Sequence, residues 1–444
     1  MKLQRAKMGL TLMSLLAGLL IIIAYPAVLI GGQIPPAWDV IKGKAELPTI
    51  EDLTDGKVKI GDLIDKNNVD LVKDYIGLGS YECIKKGMVM KMGNQLPPDQ
   101  LHPKYFTEAT ERNVGKAVMD EYGTVYYEKM GTLWPGGLPF PEPKNGTEVA
   151  ANVKFGQVWD DLYHNPVIVL LIDSEGKVYK TSVMEHRYTK CVSRLKVPPL
   201  GAVRGFEDMA WKRVIAMLHP FEIKGLGQYA VRFYDEVAHH DIGFTYLPAY
   251  KRTIRVSATT WQDNVAGGDT TSGDGQGLQE PYIYWDFKLI GPRYMLHPVP
   301  KSTIPFFDEK KKHIHKEFPH DVGRKFPRLE WTIWPMYELE ARPTIKHIYG
   351  RKTFYVNAWP YWPSSSQFSH VDSYDRQLKL WKAYISFRGN HRIYEGEPYA
   401  NEYGFSMYDI QADHMSHMWY PQRLNEAKFL PKNITMKTLQ EISR

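Results

Sequence analysis

Cysteine is nearly absent: Cys83 and Cys191 are the two in 444 residues. They form no CxxC pair, haem-attachment site or zinc spacing, so neither a disulfide scaffold nor a thiolate metal centre is written into the chain. Whether these two pair in an oxidising compartment is left open by their separation. Phosphate-cradling glycine loops, the G-x-S-x-G elbow and H-E-x-x-H are also missing. So is a strong charge of either sign. The formal net charge is +6, and Lys2, Arg5 and Lys7 supply half of it. Nucleic acid would demand a concentrated basic stripe, and none exists. The densest basic run, Lys310-Lys311-Lys312, reads as a solvated loop. No fixed-period repeat is visible. No acidic residue precedes Asp39.

What the N-terminus does have is an apolar run. Residues 8–23 are almost continuously apolar behind the three basic residues, and the run extends through Ile30, long enough to span a bilayer. A basic start followed by an apolar stretch is the export pattern. Around Ala24-Tyr25-Pro26-Ala27 there is no clean A-x-A cleavage site. Either a signal peptide is cut near Ala27, or residues 8–30 stay as a membrane anchor; both put the remainder outside the cytosol.

The chain changes character at Trp134-Pro135-Gly136-Gly137-Leu138-Pro139-Phe140-Pro141-Glu142-Pro143, which excludes helix and central strand alike because proline lacks the backbone donor both require. Before it, residues 57–75 show mixed helical spacing closed by Gly77-Leu78-Gly79, and residues 108–130 read as a second helix. After it the period becomes 2. Residues 166–172 and 178–183 form a hairpin across Asp173-Ser174-Glu175-Gly176-Lys177. Residues 206–218 read as a short helix. Strands are expected at 228–234, 244–250, 251–258, 282–290, 328–341 (interrupted by Pro335), 345–359, 378–387 and 405–420, with a polar glycine-rich loop at 263–277. The expected fold is mainly β with helices (α+β), built on one large antiparallel sheet. Residues 1–30 are the signal or anchor, 31–144 a helix-rich part with the proline crossing, and 145–444 the sheet, continuous with 45–144 as one domain.

Chemistry-bearing clusters are few. His239-His240-Asp241 are neighbours that a strand sends to opposite faces. His313 and His315, near His320 and Asp321, sit beside loop lysines. His414 and His417 are three apart, the spacing of a helix pair, in a segment that reads as strand. Asp263, Asp269 and Asp274 miss the calcium-loop order. No cofactor or metal is expected. A minority reading is an enzyme acting on an apolar substrate, with Asp286 or a histidine cluster as base. Aromatic alternation is the stronger signal. In residues 282–289, Ile283, Trp285, Phe287 and Leu289 share one face, and Leu329-Glu330-Trp331-Thr332-Ile333-Trp334 repeats the pattern. Trp134, Phe140, Trp285, Phe287, Trp331, Ile333 and Phe354 are the expected ligand-lining residues.

Several segments together resemble domain-of-unknown-function family 1329, exported bacterial proteins similar to the lipoprotein carriers LolA and LolB. They are Gly137-Leu138-Pro139-Phe140-Pro141-Glu142-Pro143 with Asn145-Gly146-Thr147-Glu148, then Arg252-Thr253-Ile254-Arg255 and the glycine-rich loop before Tyr282-Ile283-Tyr284-Trp285. Arg351-Lys352-Thr353-Phe354-Tyr355-Val356, Tyr374-Asp375 with Leu380-Trp381, and Tyr408-Asp409-Ile410-Gln411 follow. The resemblance spans residues 45–444. It implies a periplasmic location, a curved half-barrel closed by helices, and a cavity for a lipid or other hydrophobic molecule. The long apolar N-terminus departs from a diffusing carrier. The alternative is an assembly partner of an envelope transport or outer-membrane complex.

Overall fold

The computed structural model describes residues 34–93, 102–256, 258–265, 267–299, 307–308, 313–314, 329–358, 367–394, 397–420 and 422–443. The apolar run at 8–30 and His315, His320 and Asp321 lie outside these residues. Six α-helices are present among them: α1 Ala37–Ile41, α2 Ile50–Leu53, α3 Leu78–Lys85, α4 Lys104–Asn113, α5 Gly146–Phe155 and α6 Met436–Ile442. The strands are β1 Leu63–Ile64, β2 Met90–Met92, β3 Ala117–Met119, β4 Val125–Tyr127, β5 Asp161–Ile172, β6 Val178–Lys190, β7 Met209–His219, β8 Gly227–Phe233, β9 Ile242–Leu247 and β10 Arg252–Val256. They continue as β11 Trp285–Val299, β12 Phe307–Asp308, β13 His313–Ile314, β14 Glu330–Pro343, β15 Arg351–Asn357, β16 Phe368–Tyr374, β17 Leu380–Tyr394, β18 Glu397–Asp409, β19 His414–Trp419 and β20 Gln422–Leu424.

One large sheet dominates. Strands β11–β14–β15–β16–β17–β18–β19 form one meander and β5–β6–β7–β8–β9–β10 another, joined where β19 pairs with β5. β20 takes up β19's place beside β5, and β2 adds the sheet's parallel pairing against the start of β14. The sheet is therefore mixed, and it does not close into a barrel: among the described residues β10 is one edge, and at the other end β11 and the short β1–β2 pair both flank β14.

The sheet is nevertheless strongly curled. Ten strand-to-strand steps separate β11 from β8, roughly 48 Å if flat. Yet Arg232 of β8 donates to the carbonyl of Gln279 at 2.7 Å, and Trp285, which opens β11, is six residues further on. Six residues reach no more than about 22 Å. Only a curl brings the two within that tether.

β5 shows how both faces are covered. Ile168, Leu170 and Ile172 pack with the N-terminal segment, including Val40, Val72 and Ile84, while Val167, Val169 and Leu171 belong to the concave-face cluster with Met184, Met217 and Met407. A strand buried on both sides reads as a continuous apolar run rather than an alternation. α6 covers the outer side of β7 through Leu439 against Val214 and Ala216.

Several expectations change. Residues 206–218 are not a helix but most of β7; Trp211, Arg213, Ile215 and Met217 alternate with Lys212, Val214 and Ala216. Aromatic and β-branched residues at period 2 outweigh the helix-forming Met, Ala and Lys. Residues 108–130 divide, α4 stopping at Asn113 and a β3–β4 hairpin following, with glycines at positive φ at positions 115 and 123. Residues 57–75 hold β1 and a short 3₁₀ helix at Val69–Tyr75, entered by a turn in which Asp65 and Asn68 side chains bond the backbone. Gly77-Leu78-Gly79 opens a helix instead of closing one. Asp372 of β16, a strand the sequence did not suggest, accepts from the Gly79 amide at 3.0 Å. That cap comes from a residue far away in the chain. Pro335 does not interrupt β14, whose pairing with β11 runs through Tyr294↔Pro335.

Burial pushes the Asp372 carboxyl from 3.8 up to about 6, against hydrogen bonds from Gly79 and Leu78 that lower it. A carboxyl raised on folding stabilises the fold below its unfolded pKa, and that contribution is lost as pH rises through about 6. Asp372→Asn keeps an acceptor for Gly79 and cannot titrate. Denaturant melts of both proteins between pH 4 and 8 should show the wild type losing up to about 3 kcal/mol relative to the variant; parallel curves would contradict this.

Candidate functional site: a cavity under the crossing segment

The chain leaves the sheet at one edge with β10 and re-enters at the other with β11, so the connecting residues must pass over a face. They pass inside the curl. Two buried anchors hold them there. Asp274 accepts from Lys352 Nζ at 2.8 Å, from Tyr349 OH at 2.8 Å and from Thr271 Oγ1 at 2.7 Å. Burial alone would raise its carboxyl, but Lys352 and Lys382 outweigh it and hold the group down to about 2. Asp269 is bound by Ser416 Oγ at 2.7 Å and by His414, and its carbonyl accepts from Lys382 Nζ at 2.6 Å. Further along, Glu280 meets His347 at 3.0 Å. The glycine-rich composition has a packing reason: a Cβ on Gly277 would lie 2.5 Å from Phe368, and one on Gly268 2.8 Å from Ser416.

Beneath this segment is a cavity of about 230 Å³. Its sheet wall is apolar, with Val167 from β5, Met184 from β6, Ile215 and Met217 from β7, Phe405 from β18 and Met418 from β19. Val265 and the 270–279 stretch form the roof. Asp263 and Asn264 belong to the lining and are exposed, marking the mouth. Three basic side chains, His164, His186 and Arg213, and the polar Gln228, Thr245 and Tyr420 also belong to the wall. Burial pulls His186 well below its ordinary value, so it is neutral.

The seven expected lining residues fall into three groups, none on this wall. Trp134 is fully buried, its indole N–H donating to Gly137 O at 2.9 Å and its amide to Tyr234 OH at 3.0 Å. Phe140 packs with it and is fixed by Asn152, which accepts from the Phe140 amide at 2.9 Å. Trp285, Phe287 and Phe354 form one aromatic cluster on the concave face, with ring centroids 6.1 to 6.5 Å apart. Trp331 and Ile333 point to the opposite face, where they line a separate cavity of about 230 Å³ with Thr49, Ile50 and Ile60. Sequence reasoning missed the concave cavity because its β7 wall looked helical and its roof looked like an open loop.

A family model for proteins of unknown function (DUF1329) matches residues 63–439. The chain belongs to the DUF1329 family. A DUF1329 protein from Desulfovibrio piger is similar in structure, with 14% identity and a TM-score of 0.44 over 66% of this chain and 97% of that one. A domain from Vibrio parahaemolyticus named for outer membrane lipoprotein sorting has 16% identity and a TM-score of 0.45, covering 66% and 98%. A LolA superfamily protein from Nitrosomonas europaea has 12% identity and a TM-score of 0.38, covering 67% and 100%. No curated protein matches the sequence.

In this DUF1329 chain the other clusters lie among protein partners. Asp241 pairs with Arg232 at 2.8 Å, and His239 stacks near Phe233. His414 binds Asp269 and His417 bonds Ser406, from opposite faces of β19. Asp269 and Asp274 are engaged by protein groups, and among the described residues no cluster of His, Cys, Asp or Glu is arranged to hold a metal. Cys83 and Cys191 are buried and not joined by a disulfide. No helix among the described residues is long and apolar enough to cross a membrane.

Breaking the Lys352–Asp274 pair from one side strands a buried charge. Lys352→Met is expected to lower unfolding free energy by about 3–5 kcal/mol, and adding Asp274→Leu should recover most of it. The pair's pH signature is opposite to that of Asp372. A carboxyl lowered on folding stabilises above its unfolded pKa of 3.8, and the effect disappears as pH falls through about 2. Acid melts of wild type and Asp274→Asn check the sign.

Proposed function

We propose that this protein is a cell-envelope binding or carrier protein that holds one hydrophobic molecule, lipid or otherwise, in the concave cavity and leaves it chemically unchanged. The observation that carries this reading is the apolar wall under a pinned roof. The cavity volume exceeds the ~150 Å³ of an engineered apolar cavity that binds benzene, so a single alkyl chain or fused-ring molecule fits. Burying about 200 Å² of such a ligand contributes roughly 5 kcal/mol before the cost of association. That magnitude suits reversible loading rather than permanent retention. The basic-then-apolar start at residues 2–30 supports a periplasmic location, either free after cleavage or tied to the membrane.

Native mass spectrometry of the full chain purified from its host's membrane fraction should show small-molecule adducts that organic extraction removes. Ile215→Trp, at a half-buried wall position, should weaken binding of the dye Nile red roughly tenfold while thermal unfolding is retained, since filling a pocket removes the contacts that drive burial. Protein that carries no adduct and ignores both the dye and long-chain lipids would remove the reading.

A further inference from the structure

Two guanidinium groups are buried side by side in this region, and their surroundings differ in one respect. Arg232 is neutralised: it pairs with Asp241 at 2.8 Å, lies 3.9 Å from Glu236, and donates to the carbonyls of Gln279 and Glu280. Arg213 has no carboxylate partner. It is 3% exposed, lines the cavity, and makes one side-chain hydrogen bond, from Nη1 to Gln279 Oε1. Its Nε is buried with no protein acceptor. The rings of Trp211 and Trp261 hold its guanidinium plane, with centroids 5.6 and 4.8 Å away. Stacking fixes the orientation of a cation without neutralising it.

Other polar atoms turn up on the same wall. His186 Nε2 and Thr270 Oγ1 line the cavity and are also buried without a protein partner. The carboxylate nearest the opening, Asp263, is exposed at the mouth. A buried cation with no carboxylate in direct contact, its nearest one, Asp241, being paired with Arg232, and with apolar wall residues beside it, is the arrangement an amphiphile with one anionic end would complete.

We propose that the cavity selects an aliphatic or polycyclic monoanion, a carboxylic acid in the simplest case, with its acid group on Arg213 and its apolar body against Met184, Ile215, Met217 and Met418. This rests on the binding reading given above and narrows it. Neutral lipids and cationic amphiphiles are the weaker ligands. Arg213 is a specificity-determining residue, and Trp211, Trp261 and Gln279 are its positioning residues.

The test uses the full chain and Nile red displacement by three ligands with the same alkyl chain: decanoate, decan-1-ol and decyltrimethylammonium. In the unaltered protein decanoate should bind roughly tenfold to a hundredfold more tightly than decan-1-ol, the worth of a charge-assisted hydrogen bond to a desolvated guanidinium. Decyltrimethylammonium should bind most weakly. Arg213→Gln should bring decanoate and decan-1-ol to equal affinity, and Arg213→Lys should restore part of the preference. Equal affinity for acid and alcohol in the unaltered protein, or a preference that survives in a folded Arg213→Gln protein, overturns the anion assignment while the binding reading stands. Failure of all three ligands to displace the dye overturns both. The order of the three ligands needs no variant, so a poorly folding Arg213→Gln leaves the test decisive.

Discussion

The segment between β10 and β11 has to travel from one edge of the sheet to the other, and nearly everything of interest follows from its route inside the curl. A polar, glycine-rich stretch would not stay on an apolar face unaided. It stays because buried ionic anchors fix it at Asp269 and Asp274, and because Arg232 grips the carbonyls of Gln279 and Glu280. A buried ion pair is often no more stabilising than an apolar pair of equal volume, because desolvation offsets the Coulomb gain. Here the geometry gives a reason for keeping it. Apolar contacts would let the segment slide over the sheet, whereas a carboxylate that must meet Lys352, Tyr349 and Thr271 together has one position.

That fixed position decides which residues are packed solid and which enclose space. The Trp285, Phe287 and Phe354 cluster sits where α5 presses on β11 so closely that a Cβ on Gly146 would lie 2.4 Å from the Phe287 carbonyl. Nothing of that size lies over β5 to β7, and a void remains there, floored by Val167, Met184 and Ile215. Trp285, Phe287 and Phe354 fill their side of the curl, and methionines and aliphatics, with Phe405 and Tyr420, bound the empty side. Methionine's flexible thioether leaves that wall able to change its shape.

Much of the architecture could be read in the sequence. The uninterrupted apolar run of residues 166–172 announced a strand buried on both faces, and Asp173-Ser174-Glu175-Gly176-Lys177 announced its hairpin. The proline-rich stretch was rightly excluded from regular structure. The family was recognisable from ordered motifs. What was hidden depended on long-range partners. Met209–His219 carries helix-forming residues and becomes a strand because β6 and β8 flank it. The cap of α3 comes from Asp372, nearly three hundred residues later in sequence. The aspartates of the glycine-rich loop miss the calcium-loop order, and the cation that meets Asp274 is a lysine from β15. The emphasis on aromatics drew attention to the filled side of the curl, since ring content marks burial and carries no sign for emptiness.

The seam between β5 and β19 has a temporal consequence. One wall of the cavity comes from strands made early in synthesis, and the other from Phe405, Met418 and Tyr420 near the end of the chain. All the strands from β6 to β18 must be made before β19 can slot in beside β5. Until then the greasy floor is open along one side. Enclosure of the cavity is therefore a late, all-at-once property of the folded chain.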